Sequence, residues 1–278
     1  MRPQHRSPAA AGAGEAAGAG EADAGPQLSL VIPCYNEEAV IEASYRRVKA
    51  ICESLASEYE IILGNDGSSD NTLRLIEEIA ADDGHVMVTS HYPNRGAGYT
   101  YREMYKAARG EIIIQMDADL AMTPEVAVPA LLAALEKADV AVGSRYVGVE
   151  ADYPLKRRLF SHGYILLNRL LFHLDVKDTQ TGCLAFYREA LASLDLHADG
   201  FEMLLEFIAQ AEAGGLKVAE VGLPWVHDTA SGETNVWKES IRMLAGTMRV
   251  RRQLGAAGRH RGDGGPSRKE STSTRGSL

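Results

Sequence analysis

The sequence predicts a single α/β domain in which a mostly parallel, twisted sheet is flanked by helices. Three observations carry that prediction. Short apolar runs alternate with stretches of helical periodicity through the first half of the chain. The loops that follow the apolar runs hold most of the unusual polar residues, as expected where ligands sit beyond the carboxyl ends of parallel strands. The chain has 278 residues, 45% hydrophobic and 24% charged, enough to bury a sizeable core.

The elements follow in order. Residues 28–32 read as a buried strand stopped by Pro33, and residues 37–55 carry Val40, Ala43, Val48, Ile51 and Leu55 at helical spacing. A second strand is expected over 59–63, a second helix over 71–81 and a third strand over 85–89. A helix over 99–108, a strand over 111–116, a helix over 126–137 and a short strand over 140–142 complete the alternation. Residues 155–174 and 237–254 are further helical stretches. Residues 1–26 are rich in Ala, Gly and Glu without the apolar stretch of a signal peptide, and read as a disordered leader. The folded domain is expected over 27–254, followed by a disordered basic tail over 255–278.

Bulk properties narrow the function. A net charge of -9 argues against wrapping nucleic acid. Cys34, Cys52 and Cys183 stand at unrelated spacings, neither a disulfide framework nor a zinc pattern, and suit small core residues in a reducing compartment. No Gly-x-Gly-x-x-Gly follows the first strand, which argues against a dinucleotide enzyme. No run of about 18 apolar residues is present, so no membrane-spanning helix is expected.

Three loop motifs point to chemistry. Asp117-Ala118-Asp119 follows the apolar run Ile112-Ile113-Ile114, and its two carboxylates can share a crevice if the chain turns between them. Hard cations such as Mg²⁺ or Mn²⁺ take such oxygens together with a substrate diphosphate. Gly64 to Thr72 is a glycine-containing polar turn that also suits a helix cap. Pro33-Cys34-Tyr35-Asn36-Glu37-Glu38 offers an aromatic face at a strand exit. Alone, the last two also suit plain connections.

In series, these motifs resemble the family 2 glycosyltransferases of the GT-A (Rossmann-like) fold, and among them the dolichyl or polyprenyl phosphate sugar transferases. Asn94-Arg95-Gly96-Ala97-Gly98, Gly143-Ser144-Arg145-Tyr146, Arg157 with Ser161, and Asp178-Thr179-Gln180-Thr181-Gly182 extend the resemblance over residues 28–235. The resemblance implies that Pro33, Tyr35, Glu37, Asn65 and Asp66 line a nucleotide pocket and that Asp117 and Asp119 hold the metal. It assigns the acceptor phosphate to Arg145, Arg157 and Ser161, with Asp117, Asp119 and Arg145 as the catalytic set. The implied reaction is an inverting transfer of mannose or glucose from GDP-mannose or UDP-glucose to a lipid phosphate.

The chain departs from the family pattern at Asn65, where an aspartate is usual, at Ala121, where mannosyl enzymes have a glutamine, and at Asn235, where a lysine is usual. Two alternatives therefore stay open: a family 2 transferase with another acceptor, and a non-catalytic partner that keeps the fold. Leu159, Phe160, Ile165, Leu166 and Leu170, interspersed with Lys156, Arg157, Arg158 and Arg169, suit an amphipathic helix at a membrane surface or a core helix alike. The expected location is the cytosolic membrane face, held peripherally or through a separate membrane subunit.

Overall fold

The computed structural model describes residues 25–148, 155–226 and 244–254, with the side chains of 155–161 outside the description. The first half follows the expected alternation: β1 (Leu28–Cys34), α1 (Ile41–Leu55), β2 (Tyr59–Asp66), α2 (Thr72–Asp82), β3 (Val86–His91), α3 (Ala97–Ala107), β4 (Ile112–Gln115), α4 (Pro124–Leu135) and β5 (Val140–Ser144). Helix α1 starts four residues later than its periodicity suggests. Asn36 adopts a left-handed φ of 57°, and the backbone N–H groups of Glu37 and Glu38 bond to Thr72 and Asp70 across the cleft. Those residues belong to a loop–loop contact before they belong to a helix.

The second half is α5 (Leu155–Phe172), β6 (Leu184–Tyr187), a 3-10 turn (Arg188–Ser193), α6 (Glu202–Ala213), β7 (Val218–Gly222) and helical residues 244–254. Strands β6 and β7 and helix α6 were not among the expected elements. The apolar run in β6 is only four residues long. Helix α6 is buried from Met203 to Ala209, so it shows no polar face to reveal its period.

The seven strands lie in the order β3-β2-β1-β4-β6-β5-β7, and β6 runs antiparallel to both β4 and β5. The central strands are covered on both faces, as parallel sheets require. Leu30, Ile32, Ile61, Leu63 and Ile114 pack into one core layer, while Val31, Ile62, Ile113, Val142 and Phe186 pack with Phe207 into the other. This division follows the two-residue period of a strand.

At the amino-terminal edge of the sheet the buried Asp83 carboxylate joins α1 to the α2–β3 turn. It accepts from Tyr45 Oη at 2.6 Å, from the His85 backbone N–H at 2.9 Å, and pairs with Lys49 at 2.8 Å. Burial alone would raise its pKa, but the bonds from Lys49, Tyr45 and His85 outweigh burial and hold it far below the ordinary carboxylate range. Asp83→Asn should therefore cost about 1–3 kcal/mol of unfolding free energy at pH 7. Because the native pKa is depressed, that difference should be full above pH ~4 and shrink as acid protonates the wild-type carboxylate. Urea unfolding of both proteins between pH 7 and pH 3 measures it.

Candidate active site at the carboxyl edge of the sheet

The loops after β1 and β2 are joined to each other. Asn36 donates its backbone N–H to Ser68 Oγ at 3.1 Å, and its side-chain oxygen accepts from the Ser69 N–H at 2.8 Å. Glu38 in turn accepts from the Asn71 backbone N–H at 2.9 Å. Gly67 is left-handed at φ 66°, and a Cβ there would lie 2.5 Å from the Asn94 backbone nitrogen, so only glycine lets the next loop approach.

Asp66 builds that next loop. Its carboxylate accepts from the backbone N–H of Arg95 at 2.8 Å, from Gly96 at 3.1 Å and from His91 Nε2 at 2.8 Å. Asn65 donates to Ser90 Oγ and accepts from the Ser68 N–H. Both side chains are buried and committed to these loop contacts. Pro33 is the partly buried exit of β1, Tyr35 is 49% exposed, and Glu37 is partly buried at the rim.

The Asp117–Leu120 segment turns as the chemistry requires. Leu120 N–H bonds back to the Asp117 carbonyl at 3.1 Å, and Leu120 takes a left-handed φ of 48° while its side chain stays in the core. A left-handed leucine is costly, and the burial of its side chain offsets that cost. Ser44 of α1 fixes the Ala118 carbonyl at 2.6 Å, and Asp119 accepts from the Ala121 N–H at 3.0 Å. Asp117 accepts from Tyr101 Oη of α3 at 3.1 Å and lies against Gly182, where a Cβ would fall 1.6 Å from its Oδ2.

Charge is unbalanced here. Burial, then the charge of Asp119, raises the Asp117 carboxyl to about 6 against the opposing pull of the Tyr101 bond and Arg145. Burial, then Asp119, Asp117 and Asp70, raises Glu37 to about 7. Across a cavity of about 50 Å³ from Asp117 stands Arg145, at the end of β5. Its Nε and Nη2 donate to the two oxygens of buried Asp178, each at 2.8 Å, and Nη2 also reaches the Gln180 carbonyl at 3.2 Å.

The sequence profile described as Glycosyl transferase family 2 matches residues 29–194, more than half of the chain. The chain belongs to glycosyl transferase family 2. A dolichol-phosphate mannosyltransferase of Pyrococcus furiosus is 32% identical over 200 residues, covering 70% of this chain and 55% of that protein. A polyprenol monophosphomannose synthase of Mycolicibacterium smegmatis is 31% identical over 201 residues, covering 69% of this chain and 74% of its own. Glycosyltransferase AglD of Haloferax volcanii is 33% identical over 242 residues, covering 84% of this chain and 36% of that protein. The chain thus spans about half or less of the first and third of these relatives. Glucosyl-3-phosphoglycerate synthase from Mycobacterium tuberculosis, solved with UDP, shares the GT-A architecture with a TM-score of 0.63 at 23% identity, over 82% of this chain and 81% of that one.

Within this family 2 domain the structure brings Pro33, Tyr35, Glu37, Asn65, Asp66, Asp117, Asp119 and Arg145 to one edge of the sheet. Arg157 and Ser161 belong to α5, and their side chains lie outside the described residues, as does Asn235 altogether. Sequence reasoning missed Tyr101, which sits on α3 with nothing but helical spacing to mark it. Trp225, which nothing in the sequence marks as a site residue, packs against the core and also lines the cavity shared by Asp117 and Arg145.

The donor set fits Mg²⁺ or Mn²⁺. Two hard carboxylates at a turn, in a cluster where burial and then mutual repulsion raise the Asp117 and Glu37 pKa values, match a cation that takes its other ligands from diphosphate and water. Among the described residues no three His, Cys, Asp or Glu side chains are grouped so as to hold a metal ion by themselves. Gly182→Ala would push the Asp117 carboxylate off its seat. It should weaken Mn²⁺ binding at least about tenfold with the circular dichroism spectrum unchanged, read by electron paramagnetic resonance of free Mn²⁺.

Proposed function

We propose that the chain is a metal-dependent, inverting hexosyltransferase. It moves mannose or glucose from GDP-mannose or UDP-glucose to dolichyl or polyprenyl phosphate at the cytosolic face of a membrane. The observation that carries this reading is that Asp117, Leu120 and Ala121 of the acidic turn line one small cavity together with Arg145. A cation site for a leaving diphosphate and a guanidinium for an incoming phosphate are what such a reaction needs on either side of the sugar. The names of the Pyrococcus and Mycolicibacterium relatives support the acceptor class.

In the proposed reaction an oxygen of the acceptor phosphate attacks the anomeric carbon from the side opposite the nucleotide. The new carbon–oxygen bond forms as the bond to the nucleoside diphosphate breaks, and the configuration inverts. A phosphate monoester is already ionised near neutral pH, so no side chain has to remove a proton. The chain's task is positioning and charge stabilisation. Pro33, Tyr35 and Glu37 form the open rim for the nucleotide, with Asn65 and Asp66 shaping the wall behind it. Asp117 and Asp119 hold the cation, which would neutralise the departing diphosphate. Arg145, oriented by Asp178, receives the acceptor phosphate together with Arg157 and Ser161.

A lipid acceptor requires a membrane-facing surface. Leu166 and Leu170 of α5 are 58% and 67% exposed, and Leu244 and Met248 of the helical residues 244–254 are exposed as well. Tyr164 and Thr247 tie the two helices at 2.9 Å. Residues 162–173 and 244–254 contain Arg169, Arg249, Arg251 and Arg252 and no Asp or Glu, in a chain of net charge -9. Apolar side chains among arginines suit an anionic headgroup layer. Among the described residues no helix is long and apolar enough to cross a membrane.

Purified protein with Mn²⁺ and a polyprenyl phosphate should transfer radiolabel from either GDP-mannose or UDP-glucose into the lipid phase, and a chelator should stop it. Asp119→Ala should abolish that transfer with the fold intact; near-normal turnover would remove the site assignment. No transfer from either donor, with donor binding retained, would favour a different acceptor or a required membrane subunit. Joint substitution of Leu166 and Leu170 by Glu should lower binding to phosphatidylserine vesicles at least about tenfold, the scale of the apolar area lost. Sedimentation with vesicles of graded anionic content measures it.

A further inference from the structure

The chain leaving β7 does not return to solvent at once. After Gly222, the Leu223 N–H bonds to the Ser144 carbonyl at 2.9 Å, which keeps the segment beside the end of β5. It then crosses to the loop after β4. Trp225 forms an isolated antiparallel bridge with Met122, and the Val226 N–H bonds to the Ala121 carbonyl at 2.8 Å. Ala121 is the residue whose own N–H holds the Asp119 carboxylate. Four residues therefore span from the arginine side of the cavity to the carboxylate side.

The indole completes this span. Trp225 lines the cavity shared by Asp117, Arg145 and Gln180, and its ring lies 5.8 Å from the Arg145 guanidinium carbon. Tyr146 lies at a similar 5.6 Å. A guanidinium near aromatic faces, with Nε and Nη2 fixed on Asp178, has little rotational freedom left. Gly143 leaves room for this packing, since a Cβ there would lie 2.8 Å from Leu223 and 3.0 Å from the Met122 sulfur.

We infer that Trp225 is a positioning residue, which locks the cation-binding turn and Arg145 into one rigid unit through the Met122 bridge and its indole. The inference rests on the reading of Asp117 and Asp119 as cation ligands and of Arg145 as a phosphate ligand. Two groups that meet opposite ends of a reacting phosphoryl–sugar–phosphate array must keep a fixed separation, and a shift of about 1 Å at such a site costs on the order of a hundredfold in rate. Neither Asp178 nor Ser44 can set that separation alone, because each braces only one side. Trp225 touches both.

The test uses the full chain and the variants Trp225→Phe, Trp225→Ala and Val226→Pro. The proline removes the N–H that holds Ala121 and leaves the indole in place. Calorimetric binding of GDP and of UDP, each with and without Mn²⁺, needs no acceptor. In Trp225→Ala and Val226→Pro the Mn²⁺-dependent gain in nucleotide affinity should fall about tenfold, as for other groups that orient metal ligands, while metal-free nucleotide binding stays within about twofold. Trp225→Phe should restore most of the gain. With polyprenyl phosphate present, Trp225→Ala should also raise the KM for the acceptor. Should Trp225→Ala fail to fold, Val226→Pro and Trp225→Phe carry the comparison. Wild-type Mn²⁺-dependent binding that Trp225→Ala and Val226→Pro both preserve would overturn the inference alone. Loss of metal-free and metal-dependent binding in equal measure would reduce Trp225 to a structural role and also overturn it. A wild-type chain whose nucleotide binding ignores Mn²⁺ would overturn the parent reading and this one together.

Discussion

The seat of the Asp117 carboxylate is the constraint on which the rest of the site depends. It stands at the end of a buried strand, pressed on Gly182, bonded to Tyr101 and close to the charge of Asp119. Each contact comes from a different part of the chain. Tyr101 requires α3 to cross the sheet beside β1 and β2, Gly182 requires the loop before β6 to rise at the same edge, and Asp119 requires the left-handed turn at Leu120. The fold thus brings a charge into partial burial and holds it there, a costly arrangement that a bound cation would relieve.

The antiparallel direction of β6 is central to this. In an all-parallel sheet the loop entering a strand lies at the opposite edge from the loop leaving it. Because β6 runs against β4 and β5, the loop entering it, Asp178 to Gly182, emerges beside the loops leaving them. That reversal delivers Asp178 to Arg145 and Gly182 to Asp117 without a further crossover. Helix α5 supplies the connection, and buried Asn168 on it donates to Thr179 Oγ1 at 3.0 Å, linking the helix to the same loop.

The first half of the fold was legible because β1, β2 and β4 are apolar runs and α1 and α2 carry a clear helical period. The site loops were legible for the same reason, since strand ends locate the carboxyl edge, and Asp117, Asp119 and Arg145 fall there. The second half was not. Strand β6 is too short for its apolar run to be distinctive, and α6 is buried around most of its circumference. Tyr101 and Trp225 were invisible as site residues because their roles depend on which elements lie side by side, and that depends on the strands the sequence left unmarked. Asn65 and Asp66 illustrate the converse. Their motif was plain, but that Asn65 faces the Ser90 hydroxyl and Asp66 the Arg95–Gly96 backbone could come only from the register of β2 with β3.

The chain is acidic overall and its candidate cation site is a cluster of carboxylates; Arg145 shares the cavity with Asp117, and Arg169, Arg251 and Arg252 are exposed on α5 and on helical residues 244–254. A uniformly basic surface would draw donor, acceptor and lipid to the same places. In the proposed reaction a cation would accompany the donor diphosphate into the acidic crevice, while Arg145, braced by Asp178, would meet the acceptor phosphate. The charge of Arg145 already reaches Asp117, but Coulombic attraction alone does not fix the distance between the two groups, and packing has to join them. The segment from Leu223 to Val226 makes that join by hydrogen bonds and an indole ring, which salt does not screen.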